Sequence, residues 1–175
     1  MADAPPPDVL VVGVGNALRG DDGAGLDVVR LIAPRAGQAG IGVAEMESDP
    51  TRLLELWDGC GATVVVDTMR SAARPGTVLR VDASSAALPV TLRGSSSTHA
   101  VGLGQAIELA RALHRLPARV VIYAVEGECF EAGADRSQRV RKAVPVLAEQ
   151  VLGEALALAA AVRSRSPARP SRRPG

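Results

Sequence analysis

The stretch from Val9 to Gly25, VLVVGVGNALRGDDGAG, constrains the fold more than any other part of the chain. It opens with β-branched and leucine side chains and no polar break, the pattern of a strand buried on both faces inside a parallel sheet. Gly13, Gly15 and Gly20 then permit backbone angles or close approaches that a side chain would forbid. Asp21 and Asp22 follow where a helix begins. A strand, a glycine turn and a helix in that order form the first half of an α/β unit.

The remaining chain extends this pattern. Leu26, Val28, Val29, Leu31 and Ile32 give an apolar helix face that ends near Pro34 and Gly37, and residues 41–46 make a short second strand. DPTRLLELWDG reads as a helix with Asp49 as cap, Pro50 in its first turn and Gly59 as its stop. Residues 62–68, ATVVVDT, form another apolar run, ending near Asp67. TVLRVD alternates apolar and polar side chains, and the link before it, MRSAARPG, is too short for a helical crossover, so this strand runs antiparallel to its predecessor. A Ser- and Ala-rich loop over 83–98 leads to a helix that begins at His99. Residues 119–125, RVVIYAV, give a fifth strand, and an acidic loop, EGECFEAGAD, precedes a final helix. That helix places Val140, Val144, Leu147, Val151, Leu158 and Val162 on one side, with Pro145 at its start or as a kink. The fold class expected is α/β, a three-layer α/β/α sandwich whose five-stranded, mostly parallel sheet carries one antiparallel strand.

Length and charge narrow the function. A chain of 175 residues supports one domain, expected over residues 8–162, between a disordered N-terminus (1–7) and a disordered basic tail (163–175). The tail holds five arginines and no acid, so an overall charge of +1 leaves the preceding residues at −4. With one Trp, one Tyr and one Phe, base stacking has few platforms, and no nucleic-acid partner is expected. Cys60 and Cys129 form no CxxC pair, which fits reduced thiols in a cytoplasmic protein. No signal peptide or membrane-spanning stretch is read near the N-terminus, so no membrane partner is expected.

The glycine turn has two local readings. One is a plain strand-to-helix connection in which Asp21 or Asp22 caps the helix. The other is a dinucleotide fingerprint, but Leu18 stands where its third glycine belongs, and two carboxylates at a helix N-terminus repel a pyrophosphate. A noncatalytic, flavodoxin-like module that binds a nucleotide or a partner is therefore the alternative function.

In an open α/β sheet, ligands gather beyond the carboxyl ends of the parallel strands. Asp22 follows the first strand, Asp67 ends the third, and His99 opens the helix after the Ser-rich loop. Taken singly, each has a local explanation: a helix cap for Asp22, a loop hydrogen bond for Asp67, and a contact with Ser97 or Thr98 for His99. Together, two carboxylates and an imidazole make an open metal site that leaves positions for water or substrate. No Ser, Cys and His arrangement suggests a covalent nucleophile. Ser95, Ser96 and Ser97 read as linker, while Cys129 lies among Glu126, Glu128 and Glu131. Attack by water, with Asp22 or Asp67 as base, fits these residues better.

GVGNALRGDDGAG resembles the opening motif of the hydrogenase maturation endopeptidases, VVVDTMRSAARPGTV their second block and STHAVGLGQAIELA their third. AVEGECFEAG is similar to the segment after their last core strand, with Gly127 where a proline is common. The resemblance covers nearly the whole chain up to the basic tail. It implies an aspartic-type endopeptidase that trims the C-terminal extension of a nickel–iron hydrogenase large-subunit precursor after nickel insertion. It places the catalytic and metal-contacting positions on Asp22, Asp67 and His99. The nickel is carried by the precursor, no organic cofactor is needed, and a cytoplasmic monomer is expected.

Overall fold

The computed structural model describes residues 5–47, 50–84 and 98–165. Its five strands are β1 (Val9–Val14), β2 (Gly42–Met46), β3 (Ala62–Met69), β4 (Val78–Asp82) and β5 (Arg119–Glu126), in the sheet order β2-β1-β3-β5-β4. β1 pairs in parallel with β2 and β3, β3 pairs in parallel with β5, and β4 closes one edge antiparallel to β5. Strand order reverses between β1 and β3, which places the switch point at their carboxyl ends.

Among the described residues four helices cover the sheet: α1 (Ala24–Gln38), α2 (Pro50–Leu56), α3 (Thr98–Ala112) and α4 (Gln138–Arg165). Every residue of β3 is buried, so its alternate side chains feed two cores. Val64 and Val66 join Val28, Val29 and Ile32 of α1 and Leu147 and Val151 of α4. Val65 and Met69 join Leu53 of α2 and Leu103, Ala106 and Ile107 of α3. Helices on both faces of one sheet give the expected three layers.

The structure sharpens three local expectations. β4 runs antiparallel to β3, but β5 lies between them and β4 is bonded to β5, with Val78 opposite Val125 and Asp82 opposite Val121. The uninterrupted apolar run of β5 must be covered on both faces, whereas the alternating pattern of β4 suits an edge. α1 runs through Pro34 and ends at Gln38, one residue past Gly37, and of the two places expected for Pro145 the structure excludes the start of α4 and sets it inside the helix. Each proline removes one helical N–H without ending its helix, because the apolar side of the helix is held by the core.

α4 runs to Arg165, three residues beyond the expected limit of the domain, and Pro6 and Pro7 lie beside Gly59 and Gly42. Its Gln138–Ser164 stretch is long and apolar enough to cross a membrane, yet Val140, Leu147, Val151, Leu152 and Ala155 are core residues packed in the cluster that holds α1. Asp49, most of the Ser-rich loop with Ser95, Ser96 and Ser97, and residues 166–175 lie outside the described residues.

Candidate active site at the carboxyl edge of the sheet

The turn after β1 is built around Asp22. Gly15 has φ +145°, and a Cβ there would meet the Asp22 carbonyl oxygen at 1.9 Å, so only glycine lets the chain fold back this closely. The Gly15 N–H donates to the Met46 carbonyl at 3.0 Å. Asn16 then makes a side-chain turn, its Oδ1 accepting the Leu18 N–H at 2.9 Å. Residues Gly20–Gly23 form one 3₁₀ turn that leads into α1. Asp22 is 1% exposed, and its Oδ2 accepts the Asn16 N–H at 3.3 Å.

Gly25 fixes where α1 begins. A Cβ there would stand 2.5 Å from the carbonyl oxygens of both Val14 and Val66, so the first turn of α1 rests on the carboxyl ends of β1 and β3 together. The glycines are consumed by this internal contact.

Asp67 lies on β3 one residue beyond Val66, the partner of Gly13 in the β1–β3 register. It is 2% exposed, and its Oδ1 accepts the Thr68 N–H at 2.7 Å. By alternation it shares the sheet face of Val65 and Met69, the face covered by α2 and α3. Thr68 points to the other face, where its Oγ1–H donates to the Asp21 carbonyl at 2.9 Å. The segments that bear Asp22 and Asp67 are therefore bonded directly to each other.

His99 occupies the first turn of α3, and its side chain lies outside the described residues. The far end of α3 is fastened at the amino edge of the sheet, where Arg111 donates to the Ala83 and Ser84 carbonyls at 2.8 and 3.2 Å. A helix of 15 residues spans about 22 Å. Its first turn lies about that far from the Arg111 anchor. Among the described residues no three His, Cys, Asp or Glu side chains form a metal-binding group.

Asp21 has a different role from the helix cap expected of it. It is fully buried, and its carboxylate accepts the N–H groups of Glu128 (2.9 Å), Cys129 (3.0 Å) and Ser137 (2.6 Å). These donors belong to the acidic loop and to the residue just before α4. The carboxylate therefore closes that loop against the turn.

Arg136 completes the closure. Its guanidinium donates to Asp27 Oδ2 at 2.8 Å, Ala17 O at 3.2 Å and Gly20 O at 2.5 Å. Gly127 packs over Thr68 and Phe130, and its N–H donates to Met69 O at 3.0 Å, a bond that a proline at this position could not make. Glu126, 2% exposed, binds the backbone N–H and hydroxyl of Ser71. Thr68, Arg136 and Glu126 escaped the sequence reading because their partners are remote in the chain.

The two thiols sit differently: Cys129 lies against the turn, its Sγ 3.2 Å from where a Cβ on Gly20 would stand, whereas Cys60 follows α2. Cys60 is buried beneath α2, and burial raises its pKa, which keeps it a thiol. Both cysteines are free, and His114 is exposed.

A cavity of about 240 Å³ opens beside the turn, bounded by Ala17, Leu26, Arg30, Glu45, Met46 and Arg52. A larger apolar one, about 410 Å³, lies at the opposite edge around Gly61, Arg119 and Val162, away from these carboxylates.

The sequence profile of the hydrogenase maturation proteases matches residues 42–154. A Methanocaldococcus jannaschii protein named as a hydrogenase maturation protease is 31% identical over 152 residues, which covers 84% of this chain and 96% of that one. The chain belongs to the hydrogenase maturation protease family.

The fold agrees with this membership. The hydrogenase maturating endopeptidase HybD of E. coli superposes with a TM-score of 0.72 at 22% identity, covering 83% of this chain and 90% of that one. The [NiFe] hydrogenase maturation protease HybD of Thermococcus kodakarensis superposes at 0.68 with 26% identity, covering 84% and 98%. Membership in a protease family sets aside the noncatalytic nucleotide-binding alternative.

Proposed function

We propose that this hydrogenase maturation protease removes the C-terminal extension of a nickel–iron hydrogenase large-subunit precursor once nickel has been inserted. In this reading Asp22, Asp67 and His99 engage the nickel that the precursor already holds. The observation that supports it is the bonded convergence of the Asp22 and Asp67 segments at the switch point.

Two carboxylates and an imidazole supply three donors and leave the remaining coordination positions to the precursor's own ligands. The metal thereby marks a completed precursor, and cleavage follows insertion. At the scissile bond a water molecule attacks the carbonyl carbon. Asp22 or Asp67 takes its proton and returns one to the departing amine, so no covalent enzyme intermediate forms. The enzyme works as a cytoplasmic monomer and needs no organic cofactor.

Replacing Asp22→Asn, Asp67→Asn or His99→Ala tests the assignment. Each variant should keep its fold by circular dichroism and lose cleavage of the nickel-loaded precursor by more than about 100-fold, the loss expected when a positioned acid–base group is removed. Wild-type cleavage by the Asp67→Asn variant would contradict it.

A further inference from the structure

Thr68 is the point where the two carboxylate-bearing segments meet. Its backbone N–H donates to Asp67 Oδ1 at 2.7 Å, and its hydroxyl donates to the Asp21 carbonyl at 2.9 Å. That carbonyl belongs to the peptide unit whose nitrogen is the backbone nitrogen of Asp22. The other side of the same peptide unit is held by the Asp22 N–H, which donates to Arg19 O at 3.1 Å. One residue thus orients the Asp67 carboxylate directly and the plane that carries Asp22 through a side-chain bond.

The hydroxyl is more than the site's folding requires. Thr68 is fully buried between the strand and the 3₁₀ turn, and its methyl faces Gly127. The Asp21 carbonyl also accepts the Ala24 N–H, so it keeps a partner when the hydroxyl is removed. Shape alone would be satisfied by valine. What only a hydroxyl supplies is a directional bond between β3 and the Asp21–Asp22 peptide.

We propose that Thr68 is a positioning residue of this protease, whose hydroxyl sets the placement of Asp22 relative to Asp67. The proposal rests on the assignment of those two carboxylates as the working groups. A displacement of about 1 Å in such a pair is enough to lower a rate by about 100-fold, so losing the tie acts on turnover before it acts on folding.

The test compares wild type, Thr68→Val, Thr68→Ser and Asp67→Asn on a nickel-loaded large-subunit precursor, with melting temperature measured for each. Thr68→Val should lower kcat by about 10-fold or more with KM within about twofold, while its melting temperature stays within a few degrees of wild type. Thr68→Ser, which restores the hydroxyl without the methyl, should recover kcat to within about threefold. Should the valine variant fail to fold, Thr68→Ala, which needs no added room, is read in the same way. Wild-type kcat in the hydroxyl-free variant, or a serine variant no better than it, overturns the proposal. An inactive Asp67→Asn beside a fully active Thr68→Val rejects the tie alone, whereas an active Asp67→Asn rejects the carboxylate assignment beneath it.

Discussion

Ser137 and Asp21 are 116 residues apart in the chain, yet the Ser137 N–H donates to Asp21 Oδ1 at 2.6 Å. With the Glu128 and Cys129 N–H groups on its other oxygen, the Asp21 carboxylate organises the entire segment between β5 and α4. Asp21→Ala leaves three backbone donors without their acceptor. Hydrogen bonds to a charged group are worth roughly 1.5–3 kcal/mol each, and water reaches part of this loop, so the expected loss of stability is about 3 kcal/mol. Denaturant unfolding reads that loss, and hydrogen exchange should show faster amide exchange at Glu128, Cys129 and Ser137.

Gly25 and Gly37 lie on the same helix and should respond in opposite directions. Alanine at Gly25 would drive a Cβ to 2.5 Å from two backbone oxygens, those of Val14 and Val66. Overpacking of this kind costs about 3 kcal/mol, and here it separates α1 from the sheet. At Gly37 nothing lies within 4 Å of a Cβ, so alanine should stabilise the helix by about 0.5–1 kcal/mol. Urea midpoints of the two variants check both signs.

Glu154 of α4 accepts two hydrogen bonds from Arg80 of β4, at 2.7 and 2.9 Å, and a third from Tyr123 at 3.1 Å. The Arg80 guanidinium holds its carboxyl below the ordinary value of 4.5. A carboxyl depressed in the folded state stabilises the fold above its unfolded pKa and loses that contribution as pH falls through the folded value. Glu154→Gln should therefore cost about 1 kcal/mol near neutral pH, a modest figure because Arg80 is partly exposed to solvent. The gap between variant and wild type should close below about pH 4. Thermal melts from pH 3 to pH 7 measure it.

The strands were legible because their burial is written in composition: VLVV, TVVV and RVVIYAV can only be central. The position of β4 was not legible from its link to β3, since loop length fixes direction and not neighbour. The alternation of TVLRVD was the signal that it belongs at an edge. Asp22 was visible because it follows an apolar strand by a short glycine turn, and Asp67 because it is the acid that ends an apolar run. The function of Asp21 was hidden because its local position offers a helix cap, while its actual donors come from beyond β5. Thr68 and Arg136 carry no local signature, since each acts through a backbone oxygen contributed by a distant segment.

The central claim is that cleavage waits for nickel, and one paired assay measures it most directly. The matching large-subunit precursor, prepared with and without nickel, is incubated with the protease and its mass is followed. A single cut near the C-terminus of the nickel-loaded form, with the nickel-free form left intact, is the predicted result. Equal cutting of both forms would contradict the account.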